Sequence, residues 1–378
     1  MGTLSTEAIE NEIANGVKDR FGVVYSRDGK RLLKCENVEL NGYEIKEGTD
    51  VICNNAFRKC EYLWEIHVPN SITTIGRGAF CDCKFLRQIN IPETVTSIDY
   101  MAFYNCESLY QITIPNTITM IASGAFFCCK SLQQIDIPDS VKTIEDGAFT
   151  GCVNLEFKSL PERYVEMHKM LIDKRTNTVL SYFGEDESLI IPEFVTIIGH
   201  SAFANSESLR QIIIPKSVVI IGDAAFNDCK LLQQVDMPDT VVHIGAFTFG
   251  ECHSLRHIAL SASLARIDMG LFDDCVSLQQ ITIPYSVREI ENMAFSGCDS
   301  LQQVIISNSD ITIAEDTFCC DSLQQIIIPD GSEKEFRNML PENLWDKLYY
   351  LKRNGEDEPK KEKYSSTTRI DEIDDLPF

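Results

Sequence analysis

The sequence predicts a repeat solenoid that is mainly β, and three observations carry that prediction. A unit of 23 residues recurs eleven times, and each copy contains a phenylalanine at the same position. A cysteine follows three residues after most of these phenylalanines, and an alternating apolar segment that ends in proline recurs in phase with them. A fixed period of about 20 to 50 residues is typical of solenoids, in which each unit covers the apolar face of its neighbour. The phenylalanines are Phe57, Phe80, Phe103, Phe126, Phe149, Phe203, Phe226, Phe249, Phe272, Phe295 and Phe318.

Each repeat contains one strand, a second short extended segment and a tight turn. In a representative copy, Ile135 and Ile137 alternate with polar residues, which is the pattern of a half-buried strand. Pro138 ends this strand, because proline cannot donate the next hydrogen bond of the ladder. Val141 and Ile144 start the second segment, and the polar turn after it carries the cysteine. Stacking such units predicts one long parallel sheet.

The repeat units resemble the BspA-like leucine-rich repeats, which read Ser-Leu-x-x-Ile-x-Ile-Pro-x-Ser-Val-x-x-Ile-Gly-x-x-Ala-Phe-x-x-Cys. The resemblance covers about residues 46 to 330, and eleven units match it in phase. It departs locally where Ser261 and Ser307 replace the proline, and where the last unit loses one residue. The resemblance implies a right-handed solenoid, horseshoe-like or nearly straight. It implies no single function, since the family includes surface adhesins and interaction proteins.

The chain is predicted to contain two modules in series, each a hairpin followed by repeats. Asp28-Gly29 is a strong turn signal between two apolar runs near the start, and the same pattern recurs between Met170 and Leu180. Solenoid ends need polar caps, and helix-compatible segments flank the repeats. The predicted parts are 1–45 (cap helix and hairpin), 46–161 (first repeat block), 162–191 (hairpin insertion), 192–330 (second repeat block), 331–352 (cap helices) and 353–378 (disordered acidic tail).

The formal charge of −23 argues against direct binding to nucleic acid or anionic lipid, since both are bound through lysine and arginine. No segment approaches the roughly 18 apolar residues of a membrane span. The N-terminal residues show no secretory signal, so we expect a cytoplasmic protein. The alternative is a cell-surface protein that uses an unrecognised export route.

The fifteen cysteines are expected to form a buried ladder of thiols, because nine of them share one repeat position and Ser206 replaces one copy. Disulfides between neighbouring coils, about 5 Å apart, are the alternative. No Cys-x-x-Cys set is present, so we expect no metal and no cofactor. The six histidines occupy different repeat positions without a catalytic motif, and we therefore expect no enzymatic activity.

The outward side chains of a parallel sheet form columns that a binding partner can contact. One such column is nearly uniform and forms the predicted partner-binding surface, and we call it the glutamine column. The alternative is that the stacked glutamines hydrogen-bond one another through their carboxamides and only stiffen the sheet. The neighbouring column is more apolar near the C-terminus, at Ile213, Ile305 and Ile327, which favours binding there. The glutamine column comprises Gln88, Gln111, Gln134, Gln211, Gln234, His257, Gln280, Gln303 and Gln325.

The last residues, Asp374, Asp375, Leu376, Pro377 and Phe378, resemble the acidic C-terminal tip of bacterial single-stranded-DNA-binding proteins. That resemblance implies docking on replication or repair enzymes, with the terminal phenylalanine in an apolar pocket and the acidic residues on a basic rim. The sequence contains no oligonucleotide-binding domain. A solubilising acidic end is the alternative.

Together these features predict a monomeric, non-enzymatic scaffold that binds another protein on the outward face of its sheet. One alternative is a surface adhesin of BspA-like type. The other is a cytoplasmic modulator that is recruited to DNA replication or repair proteins through its C-terminal tip.

Overall fold

The computed structural model of this chain describes residues 4–350. The chain divides into two compact units. Unit 1 comprises Met1–Glu185 and Gly199–Ser206, and unit 2 comprises Asp186–Ile198 and Glu207–Phe378. Each unit is a β-solenoid built from the predicted repeats, which confirms the fold class.

Unit 1 begins with a short helix and an antiparallel sheet of three strands. The turn at Asp28-Gly29 joins the last two strands as predicted, and the sequence pattern did not indicate the first strand. Ala8 and Ile13, from the helix region, pack against a small buried cluster. The elements are α1 (Glu10–Ala14), β1 (Val17–Lys18), β2 (Val23–Tyr25) and β3 (Arg31–Cys35).

The repeats of unit 1 form two sets of parallel strands. Strands β4, β6, β8, β10, β12 and β14 form one six-stranded parallel sheet, in which each repeat adds one strand. The shorter strands between them form two groups: β9, β11 and β13 pair with one another, and β5 pairs with β7 and with β3. The strands are β4 (Gly42–Glu44), β5 (Val51–Ile52), β6 (Glu65–His67), β7 (Thr74–Ile75), β8 (Gln88–Asn90), β9 (Ser97–Ile98), β10 (Gln111–Thr113), β11 (Met120–Ile121), β12 (Gln134–Asp136), β13 (Thr143–Ile144) and β14 (Glu156–Ser159).

The predicted hairpin insertion contains three antiparallel strands: β15 (Tyr164–Met167), β16 (Met170–Asp173) and β17 (Thr178–Tyr182). The first of them was not anticipated, because its apolar and polar residues do not alternate cleanly. Both modules therefore start with the same three-stranded arrangement.

Unit 2 repeats the pattern, but its broad sheet has two sections. One section contains β18, β20 and β22, and the other contains β25, β27, β29 and β30. Residues 255–260 form no strand, which separates the two sections. The strands are β18 (Ser188–Ile190), β19 (Ile197–Ile198), β20 (Gln211–Ile213), β21 (Ile220–Ile221), β22 (Gln234–Asp236), β23 (His243–Ile244), β24 (Arg266–Ile267), β25 (Gln280–Ile283), β26 (Glu289–Ile290), β27 (Gln303–Ile306), β28 (Thr312–Ile313), β29 (Gln325–Ile328) and β30 (Leu348–Tyr350).

The segment after β29 differs from the predicted helical cap. It contains the helix α2 (Glu333–Met339) and the 3-10 helix η1 (Glu342–Lys347), but it then returns to the sheet as β30. This last strand pairs in parallel with β29, so that Leu348 lies opposite Ile326. The chain thereby closes the edge of its own sheet with a strand.

The repeat phenylalanines form a stack in the core of each unit. In unit 1, Phe57, Phe80, Phe103, Phe126 and Phe149 follow one another at centroid distances of 5.4 to 5.5 Å, with nearly parallel planes. From Phe226 to Phe318, the stack in unit 2 has spacings of 5.5 to 5.6 Å. Every ring in the unit 1 stack is fully buried.

All fifteen cysteines are free thiols, and only Cys319 is exposed. Within the ladder, the thiol of Cys106 donates to the carbonyl oxygen of Phe80, one repeat earlier, at 3.2 Å, and Cys252 repeats this contact with Phe226 at 3.3 Å. Burial raises the pKa of both thiols well above the usual value. The thiols of the ladder therefore act as packing groups that satisfy a backbone acceptor.

Candidate interaction surface

The structure places eight members of the glutamine column on strands, in three groups that are each in register. In unit 1, Gln111 lies between Gln88 and Gln134 on the neighbouring strands, and all three side chains are exposed. In unit 2, Gln211 pairs with Gln234, and Gln303 lies between Gln280 and Gln325. His257 is exposed but lies in the segment that forms no strand.

A carboxamide ladder exists at one point of the glutamine column. The side-chain Nε2 of Gln303 donates to Oε1 of Gln325 at 2.7 Å. Gln234 instead donates to Asp236 within its own strand, also at 2.7 Å. No other hydrogen bond joins two members of the column in residues 4–350, so ladder formation accounts for one pair only.

The prediction that the C-terminal part of the sheet offers an apolar binding surface is wrong at Ile305 and Ile327, whereas Ile213 is half-buried. Ile305 is 5% exposed and Ile327 is fully buried. In β29, Ile326, Ile327 and Ile328 are all buried, so both faces of this strand are covered. The sequence pattern identified outward positions correctly but could not show that they are covered in the folded chain.

Unit 1 instead presents exposed aromatic side chains beside the glutamine column. Tyr62, Trp64, Phe85 and Tyr110 are 54%, 47%, 52% and 41% exposed, and we call these four residues the aromatic patch. The rings of Tyr62 and Phe85 stack with their centroids 6.0 Å apart. Clustered exposed aromatic groups are uncommon on a surface that only contacts water.

Backbone hydrogen bonds hold part of the aromatic patch in a column of its own. The amide of Arg87 donates to the carbonyl of Trp64 at 3.2 Å, and the amide of Tyr110 donates to the carbonyl of Arg87 at 3.1 Å. The hydroxyl of Tyr110 also donates to Oε1 of Gln88 at 3.4 Å. The patch and the glutamine column of unit 1 therefore form one continuous surface.

An open groove of about 1040 Å³ lies at the N-terminal end of this surface, and we call it the N-terminal groove. Its floor includes the outward side chains of β4 and β6, and its wall is the loop between β1 and β2. Glu65, the residue after Trp64, belongs to both the groove and the strand that starts beside the aromatic patch. The groove is lined by Asp19, Arg20, Phe21, Gly42, Tyr43, Glu44, Ile45, Lys46, Glu47, Glu65 and His67.

Asp19 fixes the wall of the groove. Its carboxylate accepts the amides of Phe21 and Val23 at 2.9 and 3.0 Å, and it accepts the hydroxyl of Tyr43 at 2.5 Å. The ring of Phe21 packs edge-on against Tyr43 at 5.8 Å. Burial, together with the hydrogen bonds to Asp19 and Tyr25, raises the pKa of Tyr43, so this tyrosine stays protonated and the wall is held in one position.

Sequence reasoning missed both the aromatic patch and the N-terminal groove. A signal for the patch was present: five and seven residues after the repeat phenylalanine, most copies carry a small or polar residue, whereas the first copies carry Tyr62, Trp64, Phe85 and Tyr110. The groove had no such signal, because its wall comes from outside the repeats.

No group of His, Cys, Asp or Glu side chains in the described part of the chain is arranged to hold a metal ion. Among the same residues, no helix has the length and apolar character to cross a membrane. The predicted C-terminal tip, Asp374 to Phe378, lies outside the described residues, and its role stays a prediction.

Parallel coils, stacked phenylalanines and an exposed sheet face define a leucine-rich-repeat solenoid. The profile of the BspA type leucine-rich repeat region matches residues 34–168, 178–284 and 243–340 in six copies. The chain belongs to the BspA-type leucine-rich repeat family. A comparison with curated protein sequences found no match.

Solved structures share this fold. A leucine-rich cell-surface protein from Faecalibacterium prausnitzii is 27% identical, with a TM-score of 0.59 over 82% of this chain and 79% of that one. A leucine-rich repeat protein from Eubacterium ventriosum is 20% identical, with a TM-score of 0.58 over 84% and 91%. The pneumococcal vaccine antigen PcpA is 17% identical, with a TM-score of 0.61 over 86% and 93%.

Proposed function

We propose that this chain is a non-enzymatic interaction module that acts at a cell surface and binds a protein partner through the outward face of the unit 1 sheet. The aromatic patch is the observation that carries this proposal. Aromatic residues are enriched at protein interfaces, where truncating a central one costs about 2 kcal/mol or more of binding free energy. Four such groups beside an in-register row of glutamines combine apolar contact area with hydrogen-bonding groups.

The glutamines of unit 1 contribute specificity in this proposal. Gln88, Gln111 and Gln134 carry exposed carboxamides, and each offers two donors and one acceptor oxygen. Ladder formation does not engage these three side chains with one another. The oxygen of Gln88 accepts the hydroxyl of Tyr110, and its carboxamide N–H groups remain to donate to a partner. The sheet in turn fixes their backbone positions, which lowers the entropy that binding would cost.

The surface location is supported by the likeness to the cell-surface protein of Faecalibacterium prausnitzii. We therefore favour the surface alternative over a cytoplasmic one. Limited proteolysis of intact cells of the native host tests this point. The chain is expected to be degraded while cytoplasmic marker proteins remain intact, and full protection of the chain would contradict a surface location.

The binding proposal is tested with a double variant, Trp64→Ala with Tyr110→Ala, in affinity capture from extracellular and lysate fractions of the host. The matched control is Tyr285→Ala, which removes an aromatic group that is 68% exposed in unit 2. The double variant should lose partners that the intact chain and the control retain. Equal capture by all three proteins would contradict the proposal.

The same capture distinguishes the replication-linked alternative. A chain that lacks Leu376 to Phe378 should retain its partners if the sheet face binds them. Loss of partners on this truncation alone would instead favour recruitment through the C-terminal tip.

A further inference from the structure

The parallel sheet of unit 1 ends in a strand whose outer edge is open. β4 pairs with β6, and no other strand in the described residues adjoins it. The amide of Ile45 donates to the carbonyl of His67 at 3.1 Å. In a parallel ladder, alternate residues of a strand point to the same neighbour. Tyr43 and Ile45 thus face β6, and the amides and carbonyls of Gly42 and Glu44 face away from it.

At two other places the chain itself adds a strand to a parallel sheet. At the start of unit 1, β3 pairs in parallel with β5 and extends the sheet of short strands. At the end of unit 2, β30 adds to β29. The edge of β4 lacks such a closing strand within residues 4–350, and an open edge is a ready template for another strand.

The open edge faces the N-terminal groove. Gly42, Glu44 and Glu47 line the groove from the side of the strand, and Phe21 lines it from the opposite wall. Gly42 and Glu44 are exposed, and no strand of the described residues pairs with the outer edge of β4. An ideal Cβ placed on Gly42 would meet only the carbonyl of Glu65, at 3.8 Å, so the sheet face at Gly42 has room for a side chain of a ligand.

The groove carries unpaired negative charge. Glu44, Glu47 and Glu65 make no ion pair or side-chain hydrogen bond among the described residues. The two cations of the groove are engaged with rings: Arg20 lies 4.6 Å from the centroid of Phe21, and Lys46 lies 4.1 Å from that of Tyr25. The lining carries four carboxylates, Asp19, Glu44, Glu47 and Glu65, against these two cations, so its net negative charge attracts a cationic ligand.

We propose that the N-terminal groove binds a short extended peptide segment that carries alternating cationic side chains and adds as a further strand to the edge of β4. Strand addition derives affinity from backbone hydrogen bonds and specificity from alternate side chains. The cationic side chains would lie on the outward face, near Glu44 and Glu65, and the intervening apolar side chains would face Phe21. This inference rests on the proposed function, because it names the chemistry of a partner segment at one end of the same surface.

A fluorescent peptide of three Lys-Val repeats tests the inference by fluorescence polarisation with the intact chain. Two derivatives carry N-methyl groups, one on all lysine amides and the other on all valine amides. Only one of these two sets of amides can face β4, since successive residues of a strand point to opposite edges. Methylation of the amides that face β4 removes their hydrogen bonds to this strand. It should weaken binding by about tenfold or more, because each net hydrogen bond contributes about 1 kcal/mol.

The position of the tolerated methyl groups reports the strand direction. In a parallel strand the valine amides would face β4, and in an antiparallel strand the lysine amides would do so, provided that the lysines lie on the outward face. Binding that falls with one derivative and persists with the other supports strand addition. Equal affinity of both derivatives and the parent peptide would overturn it, as would equal loss with both.

Charge is tested with the variant Glu44→Gln, Glu65→Gln, which should weaken binding of the Lys-Val peptide by about tenfold at low salt. The matched control is Glu93→Gln, which neutralises an exposed carboxylate outside the groove. A Glu-Val peptide should not bind. Tight binding of the Glu-Val peptide, or equal effects of the two sets of substitutions, would overturn the inference.

The outcomes separate this inference from the proposed function. Loss of partner capture in the Trp64→Ala, Tyr110→Ala variant, combined with no binding of the Lys-Val peptide, would overturn strand addition and leave the sheet-face proposal intact. Concentration-dependent dimerisation of the chain that Gly42→Pro abolishes would assign the edge to a second copy and would likewise overturn the peptide proposal.

Discussion

Replacing Phe103 with alanine should destabilise unit 1 far more than any single substitution on its exposed face. The ring of Phe103 is fully buried, and it lies 5.5 Å from the ring of Phe80 and 5.4 Å from that of Phe126. Removing a buried phenylalanine side chain costs about 3 to 5 kcal/mol through lost transfer free energy and a residual cavity. Part of that cost is the loss of two ring contacts, each contributing about 0.5 to 1.5 kcal/mol beyond the buried area.

The end of the other stack provides an internal comparison. Phe318 is 7% exposed and stacks on Phe295 at 5.5 Å, and no further ring of residues 4–350 continues this stack. Phe318→Ala loses one ring contact instead of two, so its cost should be smaller by about 1 kcal/mol. Phe85→Ala removes a half-exposed ring of the aromatic patch and should cost only about 0.5 kcal/mol.

Urea unfolding followed by tryptophan fluorescence measures these costs. The chain has two tryptophans, Trp64 in unit 1 and Trp345 in unit 2. The variant Trp345→Phe therefore gives a signal for unit 1 alone, and Trp64→Phe gives one for unit 2, which contains Phe318. For Phe103→Ala, the midpoint of the Trp64 transition should fall strongly with little change in its slope. A loss below about 1 kcal/mol, or a loss equal to that of Phe85→Ala, would refute the role assigned to the stack.

Three further predictions concern the thiols and the ion pair between Arg163 and Asp173. In the native chain, a thiol reagent should modify Cys319 rapidly and the buried thiols only after unfolding, and rapid modification of several thiols would contradict the buried ladder. Burial favours a higher pKa for Asp173, but hydrogen bonds from Arg163 at 2.6 and 3.0 Å outweigh it and lower the pKa below 3.8. The carboxylate therefore stabilises the fold above about pH 4 and loses this effect as the pH falls. The stability of Asp173→Asn should consequently decrease less steeply with falling pH than that of the native chain. Near neutral pH, Arg163→Ala should cost about 2 kcal/mol in thermal or urea unfolding, and an unchanged stability would contradict the ion pair.

The sequence determined most of the fold because the repeat period is a property of the core. Each phenylalanine and each strand isoleucine must meet its equivalent in the next coil, so the pattern in the sequence is the pattern of contacts. The turns are equally local: Asn105 and Asp228 lie in the left-handed region, with φ of 58° and 59°, where short polar residues are tolerated better than most.

The elements that the sequence did not reveal depend on contacts outside the repeats. β30 follows a helix that ends at Met339, and its three residues carry no repeat pattern. The burial of Ile327 likewise results from what covers β29 and cannot be inferred from alternation. The candidate surface was found in part: the glutamine column follows from periodicity, whereas the groove depends on the fixed position of Asp19.

Photo-crosslinking from within the aromatic patch tests the central proposal most directly. The chain is made with benzoylphenylalanine at Tyr62, or at Tyr285 as the control, because both side chains are exposed and they belong to different units. Irradiation is carried out with each chain bound to intact host cells. The account predicts a discrete crosslinked protein from position 62 and none from position 285. Crosslinks from both positions alike, or from position 285 alone, would show that the sheet face of unit 1 is not the interaction surface.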